Sequence, residues 1–412
     1  MRKMKDSGIE WIGKIPEDWR VCKLKYLTKT RSSNGIFKPN SDKYIGLENI
    51  KGYSNNFVAT DTEYEQSVQS VYKRYDVLFG KLRPYLAKVY YTLDDGFCSS
   101  EFLVFSDFLG EKKFLLYSLL NPSFIENINA STYGAKMPRA NSSYILDQEI
   151  ATPPSAEQKR IADFLDEKCA ETDRLIADIQ TEIDTLERYK RSVITEAVTK
   201  GLNPDTEMKD SGAGWIGIIP RHWELKRIGA FYQLRNEKVS DKDFPPLSVT
   251  MKGIVPQLET AAKTNDGDNR KLVRKGDFAI NSRSDRRGSC GISEYDGSVS
   301  LINTVLAPRG HVNNQYCNWL FHTEQFADEF YKWGHGIVDD LWTTGWQDMK
   351  KISIPIPPID EQREIADYLD RKCAEIDEII STKKTQIVTL ESYKKSIIFE
   401  YVTGKKELIP CG

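Results

Sequence analysis

Met4-Lys5-Asp6-Ser7-Gly8-Ile9-Glu10-Trp11-Ile12-Gly13-Lys14-Ile15-Pro16-Glu17-Asp18-Trp19 occurs a second time, as Met208-Lys209-Asp210-Ser211-Gly212-Ala213-Gly214-Trp215-Ile216-Gly217-Ile218-Ile219-Pro220-Arg221-His222-Trp223. Eleven of the sixteen positions are identical, at a constant offset of 204. A second block repeats at the same offset: Pro153-Pro154, Glu157-Gln158 and Ile161-Ala162-Asp163 become Pro357-Pro358, Glu361-Gln362 and Ile365-Ala366-Asp367. This period is far longer than the roughly 20–50 residues of solenoid repeats. The chain therefore reads as one unit written twice, each copy a domain-sized module followed by the same kind of connector.

The connectors are helical by pattern. Ala162, Leu165, Cys169, Thr172, Ile176, Ile179, Ile183, Leu186, Lys190, Val193 and Ala197 alternate steps of three and four, a heptad seam with charges on the outer faces. Ser155 and Gln158 have the spacing of a capping box, and Gly201 and Pro204 stop the helix. At 1.5 Å per residue such a helix spans roughly 65 Å. The repeat places Ala366, Leu369, Cys373, Ile376, Ile380, Ile387, Leu390 and Ile397 on its own seam, with Lys383 where the first copy has Ile179. A polar seam residue of that kind fixes register. A long helix with one apolar stripe needs a partner, and its own repeat is the obvious one. The expected fold is α+β: two mixed α/β modules separated by two long antiparallel coiled-coil helices, with a pseudo-two-fold internal repeat. The expected boundaries are 1–153, 154–200, 201–357, 358–404 and a tail at 405–412.

Composition agrees with a folded, multidomain chain. Of 412 residues, 40% are hydrophobic and 29% charged. The start of the chain has no apolar stretch of signal-peptide type, and no apolar run approaches a membrane span. Seven cysteines (22, 98, 169, 290, 317, 373 and 411) form no Cys-x-x-Cys pair, which suggests reduced thiols and a cytoplasmic protein. Four histidines show no metal spacing. The net charge of −2 is unevenly spread: 155–200 and 359–404 each carry three more acidic than basic side chains, so the rest is mildly basic.

Within the modules, Trp11, Ile15, Pro16 and Trp19 suggest a docking strap that packs two indoles. Asp76-Val77-Leu78-Phe79-Gly80 reads as a strand running into a turn, and Cys98 to Phe105 as another strand. Residues 111–129 read as helix and Tyr133 to Arg139 as a loop. Lys275 to Arg283 and Trp333-Gly334-His335-Gly336 occupy corresponding places in the second module, although the surrounding sequence diverges. Ends and connectors that repeat would meet the same partner twice; middles that diverge would meet two different things. Asn121-Pro122-Ser123-Phe124 lacks the second proline of an adenine-methyltransferase site and reads as a helix break. There is no glycine-rich cofactor loop, no Walker lysine loop and no paired nuclease carboxylates, so no cofactor is expected in this chain.

On the Trp-Ile-Gly-x-Ile-Pro-x-x-Trp straps, the runs at 76–85 and 275–283, and Pro-Pro-x-x-Glu-Gln-x-x-Ile-Ala-x-Phe/Tyr-Leu-Asp at 153–166 and 357–370, the chain resembles the specificity subunit of a Type I restriction-modification system. Departures are small: Ile359 replaces Ser155, and the first-module loop ends in Pro138-Arg139. The resemblance spans nearly the whole chain. It implies two target-recognition domains that each read half of a split double-stranded DNA site, and helices that space them and dock two methyltransferase subunits. It implies no catalysis in this chain, S-adenosylmethionine on the methyltransferase, and restriction/translocase subunits in the full complex. Candidate DNA contacts are Lys81, Arg83, Tyr85 and Lys88, taken as alternating along an extended run, with Lys136 and Arg139. In the second module they are Asn281, Ser282, Arg283, Arg286, Arg287, His335 and Trp342. Two other readings remain open on residues alone: a coiled-coil scaffold separating two protein-binding domains, and a free-standing regulator. Mild basicity weighs against the latter, because stand-alone binding leans on phosphate neutralisation.

Overall fold

The computed structural model describes residues 2–39, 41–134, 136–258, 267–336 and 342–408; Cys411, Ala135 and the end of the tail lie outside them. The chain divides into two compact units, Met1–Gln180 with Lys383–Gly412, and Thr181–Thr382. Each long helix, Ser155–Lys200 and Ile359–Val402, is thus shared between units instead of forming a segment of its own.

In the first unit the strap is a hairpin, Met4–Asp6 against Lys14–Pro16. Trp19 is fully buried, and Trp11 sits edge-on to Phe124 with ring centroids 6.1 Å apart. Strand β1 (Arg20–Lys23) pairs antiparallel with Glu149–Thr152, the strand that leads into the first long helix. The central antiparallel sheet runs Lys29–Thr30, Phe102–Ser106, Val77–Gly80, Val89–Tyr91. We call Val77–Gly80 β2, Val89–Tyr91 β3 and Phe102–Ser106 β4. Helices α1 (Lys112–Leu120) and α2 (Pro122–Ala130) follow. A second sheet is built from Asn34–Phe37, Ser67–Tyr72, Gly96–Cys98 and Tyr44–Ile45.

Two expectations need correction here. The strand expected at 98–105 is two strands in different sheets, turned apart by Ser99–Glu101. The helix expected at 111–129 is two helices: Asn121 caps the second through its side chain and Pro122 takes its first turn, where a missing N–H costs nothing. The break expected at Asn121-Pro122 is therefore present.

The second unit repeats the frame. Met208–Asp210 pairs with Ile218–Pro220, and Trp215 meets Phe326 edge-on at 6.0 Å. Strand β5 (Glu224–Arg227) pairs with Ser353–Ile356 at the same offset of 204 as in the first unit. The main sheet runs Tyr232–Leu234, Asn303–Pro308 (β8), Phe278–Asn281 (β6), Cys290–Ile292 (β7), followed by helices α3 (Asn314–Phe321) and α4 (Glu324–Lys332). A hairpin, Leu247–Thr250 with Gly253–Pro256, belongs to this unit.

Every expected seam position on both long helices is buried or half-buried, including Leu165, Ile176, Ile179, Ile183, Leu186, Leu369, Ile376, Ile380, Ile387 and Leu390. Within each unit the two helices run antiparallel. In the first, Phe164 packs on Tyr401 at 4.6 Å between centroids, and Lys394 Nζ lies 2.5 Å from Asp173. In the second, Lys190 Nζ lies 2.6 Å from Asp377. These ion pairs are the same pair read twice, since both partners recur at an offset of 204. Their surroundings differ: Lys394 and Asp173 are 5% and 14% exposed, Lys190 and Asp377 24% and 58%.

The capping box expected from Ser155 and Gln158 does not form. Gln158 is buried; its Oε1 accepts from the backbone N–H of Glu111, the residue that caps α1, and its amide donates to Pro153 O. Gln362 does the same for Asn313, the cap of α3, and for Pro357. A buried amide that satisfies two backbone groups far apart in sequence outcompetes a local cap. The Pro-Pro-x-x-x-Gln block thereby fastens each long helix to its module. The helix ends are fastened too: Lys405 Nζ donates to the carbonyl oxygens of Ile12 (2.6 Å) and Lys14 in the first strap. Gly201, at φ +77, ends the first helix beside Trp223 and Pro220 of the second strap.

Candidate nucleic-acid interface

In the first unit, one carboxylate-held turn aims the central strand. Asp76 is buried, accepts from the N–H of Lys73 and pairs with Arg31 at 2.8 Å, which holds the Arg31 guanidinium above its usual range. The second unit has the same device, Asp277 with Arg235 at 2.5 Å. Beyond this turn β2 and β6 cross their sheets side by side with β4 and β8, in the registers Phe102↔Gly80 and Asn281↔Asn303. Their far ends carry the candidate residues.

The run after β2 is not extended. Arg83 (φ 50) and Ala87 (φ 46) are left-handed, and Pro84–Leu86 forms a short 3-10 turn. The alternation expected for Lys81, Arg83, Tyr85 and Lys88 is therefore absent: a tight turn exposes Arg83 and Tyr85 and leaves Lys81 and Lys88 half-buried. Non-glycine residues in this region cost about 1 kcal/mol or more each, and such strain is concentrated at functional sites. The turn is zipped to the loop after α2, for Arg83 N–H reaches Pro138 O at 2.7 Å, Ala140 N–H reaches Lys81 O at 3.0 Å, and Tyr133 bridges Arg139. This brings Arg83, Tyr85, Lys136 and Arg139 to one exposed tip, with Tyr133 and Met137 also exposed. Lys81 and Lys88 sit deeper. Burial lowers the pKa of both, with Glu101 countering it at Lys81 and Glu48 at Lys88, and Lys88 Nζ is held by Leu47 O at 2.5 Å.

The second unit builds its tip with the same hydrogen bonds and other residues. Thr344 N–H reaches Ser282 O at 3.0 Å, Ser284 N–H reaches Trp342 O at 3.0 Å, and His335 bridges Thr343. Arg286, Arg287 and His335 are exposed; Arg283 is half-buried and Trp342 partly exposed. Asn281 and Ser282, by contrast, are 6% and 8% exposed and turn inward. The Asn281 side chain accepts from Arg283 N–H at 3.1 Å, and the Ser282 hydroxyl meets Thr304 at 2.9 Å. Both support the loop instead of reaching out from it. Tyr331 OH ties the turn from below by donating to the carbonyls of Asn281 and Arg286.

Each tip thus offers arginine together with an aromatic side chain. Arginine pairs bidentately with guanine edges or holds phosphate, and aromatic rings add apolar contact. Sequence reading missed the carboxylates that attend these cations. Glu101 pairs with Arg139, Asp285 with Arg283 at 3.1 Å and Arg286 at 3.8 Å, Asp328 with Arg287, and Asp348 with His335 at 3.3 Å. It also missed the Arg31–Asp76 and Arg235–Asp277 pairs, although the two arginines share the offset of 204. No described helix is long and apolar enough to cross a membrane.

Comparison with known proteins agrees with this duplicated plan. The family model for the Type I restriction modification DNA specificity domain matches twice, at residues 16–185 and 220–389. A Methanocaldococcus jannaschii chain described as the specificity subunit of a type I restriction enzyme, MjaX, is 26% identical, over 96% of this chain and 95% of its own. The EcoDI specificity subunit of Escherichia coli is 20% identical over 95% and 90%. Among solved structures, a chain from work on complex assembly and conformational transition of the type I R-M system superposes with TM-score 0.72 at 17% identity, covering 95% of this chain and 99% of that one. The HsdS subunit from Thermoanaerobacter tengcongensis superposes at 0.53 and 18% identity, covering 95% and 98%. With two matched copies that together take up most of its length, the chain belongs to the Type I restriction modification DNA specificity family.

Proposed function

We propose that each unit reads one half of a bipartite, asymmetric DNA site through its tip, and that the chain itself catalyses nothing. What supports this reading is one observation. The two tips are held by the same hydrogen-bond scheme while their outward side chains differ, Arg83, Tyr85, Lys136 and Arg139 against Arg283, Arg286, Arg287, His335 and Trp342. Repeated scaffolding under differing contacts is what two readers of different sequences require. A scaffold with two protein-binding domains is not favoured once the chain is placed in its family.

In this reading the repeated straps and long helices meet two methyltransferase subunits, and restriction/translocase subunits join the full complex. S-adenosylmethionine is bound by the methyltransferase, and adenine is the methylated base. The long helices set the number of base pairs between the half-sites. Removing seven residues from each shortens a helix by about 10.5 Å, or about three base pairs at 3.4 Å each. The test is to delete one heptad from both helices and compare the accepted spacers. A spacer shortened by about three base pairs supports the assignment, and an unchanged spacer with the complex intact removes it.

A further inference from the structure

Each tip carries a carboxylate against an arginine, Glu101 on Arg139 (and near the half-buried Lys81) and Asp285 on Arg283. Glu101 precedes β4, and its carbonyl accepts the N–H of Lys81; the corresponding carbonyl in the second unit, which accepts the N–H of Ser282, belongs to Ile302. The second unit instead supplies Asp285 from the turn itself. Two unrelated positions thus place an acid on one arginine of each tip. The first pair is not fully satisfied. Oε2 of Glu101 is buried and without a hydrogen bond, whereas Nε of Arg283 lies 3.1 Å from Asp285. Both pairs are reached by solvent, and ion pairs of that kind are weak, so their arginines exchange partners at low cost.

We propose that Glu101 and Asp285 are specificity-determining residues that act as tethered counter-ions, keeping Arg139 and Arg283 off the phosphates of unmatched DNA. This rests on the DNA-reading function proposed above. Non-specific affinity comes from cations that neutralise phosphate and release condensed counter-ions. An arginine already neutralised by its own carboxylate contributes little of this. On a matching half-site, base-edge contacts draw the arginine away from its acid; on unmatched DNA it stays. Removing the acid therefore strengthens binding to any duplex and narrows discrimination.

The test uses the chain assembled with its methyltransferase subunits, carrying Glu101→Gln or Asp285→Asn. Binding is measured across a salt series to a fluorescent duplex bearing the mapped site and to a second duplex with both half-sites scrambled. Each variant is expected to bind the scrambled duplex up to about five-fold more tightly, the range commanded by exposed ion pairs. The slope of log affinity against log salt should steepen by about 0.9, one added phosphate contact, while affinity for the true site changes less. An unchanged slope and unchanged affinity for the scrambled duplex would overturn the proposal. So would a loss confined to the true site, which would make the acid a direct reader. If one variant fails to fold, the other decides, since the two acids lie in different units. A wild-type complex that cannot tell the two duplexes apart would instead overturn the DNA-reading function itself.

Discussion

Lys394→Met and Lys190→Met change the same residue of the repeat, yet they should differ several-fold in cost. Lys394 and Asp173 are almost enclosed, so removing the ammonium strands a carboxylate in a poorly solvated place. Breaking a buried pair from one side costs about 3–5 kcal/mol. Asn56 Nδ2 still donates to Asp173 at 3.0 Å, which argues for the lower end, about 3 kcal/mol. Asp377 is more than half exposed and water can replace Lys190, so that loss should stay below about 1 kcal/mol. For units of this size 1 kcal/mol shifts Tm by about 2–4 °C. Differential scanning calorimetry of the full chain should show Lys394→Met lowering the first unit's transition by about 6–12 °C, with Lys190→Met moving the second by less than about 4 °C. Replacing Lys394 and Asp173 together by apolar residues should recover much of the loss. Equal shifts for the two single variants would refute the argument from burial.

Gln158→Ala and Gln362→Ala each leave a cap N–H and a proline carbonyl without a partner, and should cost about 1–3 kcal/mol in urea titrations. Arg283→Ala should weaken or relax recognition at one half-site by about 1–3 kcal/mol; competition binding with single-base variants checks it, and an equal loss at both halves would contradict it. Burial lowers the pKa of His322 below 6.5, against smaller opposing hydrogen bonds to Asn318 and Cys290. The unfolded chain then takes that proton first, so stability is full above pH 6.5 and falls as pH drops from there toward the folded value. His322→Asn should flatten that acid-side decline in thermal melts.

Much of the frame was legible because repetition and periodicity are sequence properties. The offset of 204 located the straps and connectors, and steps of three and four marked the seams that are buried. What was misread turned on long-range partners. Gln158 has the spacing of a local cap, but its partners are Glu111 and Pro153. Lys81 to Lys88 alternates like a strand, but contacts with Pro138 and with Tyr53, whose N–H reaches Ala87 O, fold it into left-handed turns that no local propensity favours. Asn281 and Ser282 have base-reading chemistry, yet ladder register places them under the sheet's last hydrogen bonds. The acid beside Arg139 was invisible because Glu101 is 38 residues away in sequence, whereas Asp285 stands two residues from Arg283 and was passed over in a run read as basic.

The most direct test of bipartite reading is methylation mapping, by single-molecule sequencing, of DNA from cells that co-express this chain with its methyltransferase. A split motif methylated on adenine in both strands, and absent without this chain, is the expected result. A stable complex of the two proteins that leaves no new methylated motif, or one continuous motif with no spacer, would contradict the assignment of one half-site to each unit.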